Sequence, residues 1–174
     1  MTCRCLICAD YGDRDRLDAV DTKLVADIGQ RGWGVIMIPE DDISPGWAFT
    51  VGLWHSHRSP ELAMFGLEPR DMMTCLNLLG DGVRDGRPVA AGQERGDVIA
   101  DRPVVLGPVD DGWRAEFLGT ASGFYRATRG VSFLQVLWPD RDGRFPGDDG
   151  CDPAAQPQLR LAPAEHPAGC WTQQ

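Results

Sequence analysis

At 174 residues the chain is most simply one domain, long enough to bury a core of its own. Its 26 acidic against 17 basic side chains give a formal net charge of -9, which repels a phosphate backbone and argues against a nucleic-acid partner. No apolar run approaches the ~20 residues of a membrane helix, and the opening Met-Thr-Cys-Arg-Cys-Leu-Ile-Cys-Ala-Asp is too short and polar for a secretory signal, so a cytoplasmic protein with reduced thiols and no membrane partner is expected.

Cys3, Cys5 and Cys8 form a C-x-C-x-x-C cluster, the densest group of metal-capable side chains in the sequence. Three thiolates this close suit one ion, with zinc the candidate, but a structural zinc site takes four ligands. Cys151, Cys170 or a histidine can supply the fourth only if the fold returns there. Redox or regulatory thiols and a purely structural terminus are the other readings of residues 1–12. Cys75, on an apolar helix face, reads as a small core residue.

Between residues 13 and 31, Leu17, Val20, Leu24 and Ile28 recur at helical spacing; Asp13 or Asp15 can start that helix and Gly32 stops it. Residues 33–38, 47–54 and 61–65 then read as three strands, and their short connections favour antiparallel neighbours. At the end of the second run stand His55 and His57, which on an extended chain face the same side. They are the candidate metal-binding or acid–base groups, with Glu61 or Asp42 to orient them; two exposed loop histidines is the plainer alternative.

Pro69 suits a first helical position, and Met72, Met73, Leu76, Leu79 and Val83 make the apolar stripe of a helix that ends by Gly86. Residues 89–97 read as a flexible glycine-bearing loop. Gly92-x-x-x-Gly96 lacks the Lys-Ser/Thr of a phosphate loop, and no dinucleotide or serine-hydrolase signature occurs. Strands are expected around Val104-Val105-Leu106 and over residues 113–118, with a hairpin turn at Asp110-Asp111-Gly112. Residues 121–127 read as a short helix or an extended link. Residues 131–138, almost continuously apolar, are the best candidate for a central strand buried on both faces. Asp140 and Asp142 before Gly143 begin like a calcium loop but lack its remaining ligands, so a turn is the better reading. From residue 152 on the composition is rich in Pro, Ala and Gln, and residues 161–174 are expected to be a loose tail after a domain spanning 13–160.

One ordered set of residues is specific: Gly32-Trp33-Gly34-Val35, Phe49-Thr50-Val51-Gly52-Leu53-Trp54-His55, Pro60-Glu61-Leu62, Phe65-Gly66-Leu67, Leu76-Asn77, Phe124-Tyr125, Leu134-Gln135-Val136-Leu137-Trp138-Pro139-Asp140, Gly143-Arg144-Phe145-Pro146 and Gln156-Pro157. Over residues 3 to 160 this resembles the bacterial family known as domain of unknown function 4262, common in actinobacteria, whose members also carry cysteines near the N-terminus. The resemblance implies one departure, Ser59 standing where many members have a histidine; His57 is the neighbouring substitute.

The expected fold is α+β, a mainly antiparallel sheet of about six strands, able to curl into a barrel, with two packed helices. Two functions follow. In the first, a small-molecule enzyme or ligand- or metal-binding protein uses His55, His57 and Glu61 beside a pocket walled by Trp47, Trp54 and Trp138, with Arg144 as a forked carboxylate contact. In the second, the protein is a noncatalytic regulatory or immunity-like module whose acidic surface suits a basic protein.

Overall fold

The chain begins its first regular element late. In a computed structural model, which describes residues 2–152, 154 and 157–161, a single 3-10 turn at Arg14–Arg16 ends at the extended Leu17, and α1 (Ala19–Arg31) starts only after it. Asp18 caps α1 by accepting from the Asp21 N–H, Leu24 and Ile28 bury its inner face, and Gly32 closes it at φ 99°, a left-handed value that glycine adopts without strain. The helix expected from residue 13 is therefore shorter by its first turn and a half.

The remaining elements are β1 (Gly34–Ile38), β2 (Trp47–Val51), α2 (Leu53–His57), β3 (Glu61–Phe65), α3 (Pro69–Arg84), β4 (Glu94–Ile99), β5 (Arg102–Pro108), α4 (Asp111–Phe117), α5 (Gly119–Tyr125) and β6 (Phe133–Leu137). The six strands form one sheet in the order β1-β2-β3-β6-β5-β4, antiparallel except where β6 runs parallel to β3. β6 is central, as its apolar sequence required, and Phe133 to Val136 are all buried. β1 and β4 are edges and do not pair with each other, so the sheet is open and does not close into a barrel.

Strand alternation sends side chains into two cores. Phe49, Val51, Ala63, Phe65 and Phe133 face α1, α5 and the N-terminal segment, where Cys5 and Leu6 are also buried. Ala48, Leu62, Met64, Leu134 and Val136 face α3, which adds Met72, Leu76 and Leu79. Helices thus cover both faces, with α1 on one and α3 on the other.

Three local expectations are corrected. Residues 94–99 are strand β4, reached after a turn, rather than loop. Its hairpin with β5 turns near Asp101, which holds φ 59°, and not at residues 110–112. There Asp110 instead caps α4, accepting from the Gly112 N–H at 2.9 Å; Trp113 and Phe117, four residues apart, lay one apolar face of that helix on the core. At the far end Leu159 and Leu161 are core residues, tied by Gln135, whose Oε1 accepts from the Leu161 N–H. Of the tail expected over residues 161–174, Leu161 is thus a buried core residue, and the rest, with His166 and Cys170, lies outside the described residues.

Candidate metal centre

The run read as one strand over residues 47–54 breaks at Gly52. Its φ of 117° and its packing leave no room for a side chain: a Cβ there would lie 2.8 Å from Ile28 Cγ1 and 2.9 Å from Gly32 O. After this break the backbone coils into α2, so His55 and His57 sit on a helical turn, where two residues apart means nearly opposite directions. The shared face expected of an extended chain does not form.

α2 is built around a buried carboxylate. Glu61, fully buried, accepts at Oε1 from the Gly52 N–H at 2.9 Å and the Trp54 N–H at 3.0 Å, and at Oε2 from the Thr50 hydroxyl at 2.6 Å. The Tyr125 hydroxyl donates to Oε1 and accepts from the N–H groups of Gly52 and His55 at 3.1 and 3.3 Å. Burial pushes the Glu61 carboxyl up, against the hydrogen bonds of Thr50, Tyr125, Trp54 and Gly52. Glu61 therefore orients the backbone that carries His55 and does not bond to either imidazole. Tyr125 and Thr50, its hydrogen-bond partners, enter the sequence reading only within the family pattern and without a role, because residues 64 and 11 positions from their partner show no local pattern before folding.

His55 points to the N-terminal segment. Its Nδ1 lies 3.7 Å from Cys3 Sγ, 3.3 Å from Cys5 Sγ and 3.5 Å from Cys8 Sγ, and the four ligand atoms all lie within 4.8 Å of one another. A tetrahedral zinc with Zn–S near ~2.3 Å and Zn–N near ~2.05 Å puts sulfur and nitrogen about 3.6 Å apart, so the three distances fit a single central ion. The segment is preshaped for this: the N–H groups of Cys8 and Ala9 both donate to Cys5 O at 3.0 Å, folding the three thiols round one point. Leu6 N donates to Phe124 O and Arg4 N to Thr128 Oγ1, which fixes the segment to the body of the domain.

The electrostatics sort the ligands. Burial pushes the Cys5 thiol up to about 12 and raises Cys8 as well. Cys3 bears a burial penalty too, but hydrogen bonds from Cys5, Cys8 and Arg58 hold its thiol below the ordinary value. Burial and the Arg58 charge lower His55, keeping the imidazole neutral and its lone pair available. Arg58 itself lies over the Trp54 ring at 4.4 Å and donates to the carbonyls of Trp54 and His55.

The other candidates go elsewhere. His57 packs edge-on against Trp33, 6.2 Å between ring centroids, and its Nε2 is buried without a hydrogen-bond partner among the described residues. Trp47 donates to Phe117 O and stacks on Phe65; Trp54 meets Tyr125 edge-on; Trp138, in the other core, donates to Phe65 O. The three tryptophans hold the layers together and do not wall a common pocket. Arg144 pairs with Asp142 at 3.0 Å and binds Gly150 O, closing the 140–150 loop in which Asp140 accepts from the N–H groups of Asp142 and Arg144. Asp42 is exposed in the loop after β1. Among the described residues no helix is long and apolar enough to cross a membrane.

No curated protein and no solved structure matches this chain. The family described as domain of unknown function (DUF4262) matches residues 27–152, a narrower stretch than the residue pattern covers. It contains β1 to β6, Glu61 and His55, while Cys3, Cys5 and Cys8 precede it. With well over half of its length inside that match, the chain belongs to the domain of unknown function 4262 family.

Proposed function

We propose that the protein binds a zinc ion through Cys3, Cys5, Cys8 and His55, and that the ion is structural. The observation that carries this reading is the set of three sulfur–nitrogen distances of 3.3, 3.5 and 3.7 Å around one His55 nitrogen. Four protein ligands close a tetrahedral shell and leave no position for substrate, which separates this site from a catalytic zinc with three ligands and a water. Three thiolates with Zn²⁺ carry one net negative charge, and the Arg58 guanidinium beside Cys3 and Cys8 balances it. The ion would staple residues 2–8, which hold no regular element beyond a turn, to α2.

Elemental analysis tests this on untagged protein purified under reducing conditions with no metal added. About one equivalent of zinc is expected, retained in His57→Ala and lost in Cys3→Ser and His55→Ala. Metal-free protein with an intact fold, unable to take up zinc or cobalt(II) with a thiolate charge-transfer band, overturns it.

The second reading, a noncatalytic interaction module, is favoured by a different feature, the edge of β1 that no strand pairs among the described residues.

A further inference from the structure

The two edges of the sheet are not alike. β4 carries Glu94, Arg95 and Asp97 and a register irregularity between Arg95 and Ile99, the charges and distortion that keep a stray strand from adding. β1 reads Gly34-Val35-Ile36-Met37-Ile38, with no charge, proline or bulge, and pairs all five residues to β2 in regular register. Its other edge has no strand beside it among the described residues. It borders a cleft of about 790 Å³ that both layers line: Val20, Lys23 and Asp27 of α1 on one side, Met73 and Asn77 of α3 on the other, with Met37 between them. Val20 is 51% and Met37 40% exposed, large apolar side chains open to whatever enters.

We propose that this cleft binds an extended segment of a partner protein, added to the sheet as a strand beside β1. The unpaired backbone groups of β1 supply the ladder, and alternate side chains of the incoming strand turn toward α1 and toward α3. Five residues of β1 match an insert of about 17 Å.

Charge defines the partner further. The cations at the cleft are committed within the chain, Lys23 to Asp27 and Arg31 to Asp81 at 2.7 Å. At the other end Ala19 and Val20 lie between Asp18 and Asp21, and Ile38 leads into the exposed Glu40, Asp41 and Asp42. The segment is thus apolar at alternate positions with lysine or arginine at the end beside Ile38. A second copy does not fit, because its own β1 is recessed between the same two helices and its charge of -9 repels. The chain's residues 162–174 hold no lysine or arginine for the acidic end, and Pro163 and Pro167 lack the N–H that a ladder needs. This inference is independent of the metal reading.

The test is selection from a displayed library of random nine-residue peptides with the full chain as bait, followed by binding of the enriched peptides in solution. Enrichment of alternating apolar sequences with a basic end is expected. Affinity should fall at least tenfold in Val20→Lys with Met37→Lys and in Val20→Lys alone, with unchanged circular dichroism, and on N-methylation of alternate peptide amides. No enrichment, or peptides that bind both variants as well as the wild type, overturns the proposal. A concentration-dependent dimer in sedimentation that Met37→Lys abolishes also overturns it, in favour of a second copy.

Discussion

Replacing Glu61 by alanine removes one buried acceptor that serves four donors. The hydroxyls of Thr50 and Tyr125 can rotate to other acceptors, and the Gly52 N–H keeps the Tyr125 oxygen at 3.1 Å. The Trp54 N–H loses its acceptor in a fully buried place, a cost of about 1–3 kcal/mol. Loss of the remaining charge-assisted bonds adds about 1.5–3 kcal/mol each, offset by several kcal/mol of carboxylate burial that the variant no longer bears. The net is a destabilisation of about 3–5 kcal/mol, which for a chain of this size lowers Tm by roughly 10 °C. Urea denaturation at pH 7, with and without zinc, measures it. Because this carboxylate fixes the turn carrying His55, zinc affinity in the folded protein should also fall about 10–100-fold. A loss below about 1 kcal/mol with unchanged zinc affinity would refute the reasoning. Glu61→Gln, which keeps one acceptor oxygen for the Gly52 and Trp54 N–H groups, should recover part of both losses.

Zinc affinity should rise with pH. The buried Cys5 thiol, pushed up to about 12, and the raised Cys8 are protonated in metal-free protein at pH 7, so binding expels at least two protons and the constant climbs at least ~100-fold per pH unit. Calorimetry in buffers of different ionisation enthalpy counts those protons, and a count near zero contradicts the assignment. Free zinc at ~100 times its dissociation constant should add about 2.7 kcal/mol to the folding stability of the apo protein, and a chelator should remove it; unchanged unfolding curves would exclude a structural ion. Gly80→Ala should cost about 1–3 kcal/mol by overpacking, since its Cβ would lie 2.6 Å from the Trp33 ring, which is buried and held by Asn77. Gly29→Ala, on the open side of α1 with nothing within 4 Å of its Cβ, should gain about 0.5–1 kcal/mol; equal effects at the two sites would discredit the packing argument.

The apolar patterns that carried through are those whose period matched a single burial environment. α3 was legible because Met72, Leu76, Leu79 and Val83 keep helical spacing along one core, and β6 because a strand with both faces covered is apolar throughout. β4 was not: its edge position leaves Glu94, Gly96 and Asp97 exposed, and only Arg95 and Val98 are buried, a composition that reads as loop. α4 was misread as strand because Trp113 and Phe117 are good strand residues, and the decisive fact, that Asp110 caps a helix instead of turning a hairpin, depends on one hydrogen bond to Gly112.

The same kind of local detail decides the metal centre. The thiols were legible as a set, because C-x-C-x-x-C brings three ligands together within one turn of chain. Their fourth partner was not, because the choice between His55 and His57 hangs on whether residues 53–57 are extended. An extended chain gives both histidines one face; a helical turn separates them and sends His55 to the sulfurs and His57 to Trp33. The cue was Gly52, a glycine inside an apolar run, which marks close backbone approach more often than regular strand. Here that approach is to Gly32 O and the Trp33 Cα, both within 3 Å of where its Cβ would be. A glycine with no room for a side chain thus ends β2 one residue before α2, and Glu61 gathers the N–H groups that the break exposes. His55, the proposed fourth ligand 47 to 52 residues from the thiols, is held by that pair, so Gly52→Ala should release zinc even with all four ligands intact. Equilibrium dialysis of the folded variant decides the point: wild-type affinity would mean that His55 finds the thiols without α2, and that the cluster, not the fold, makes the site.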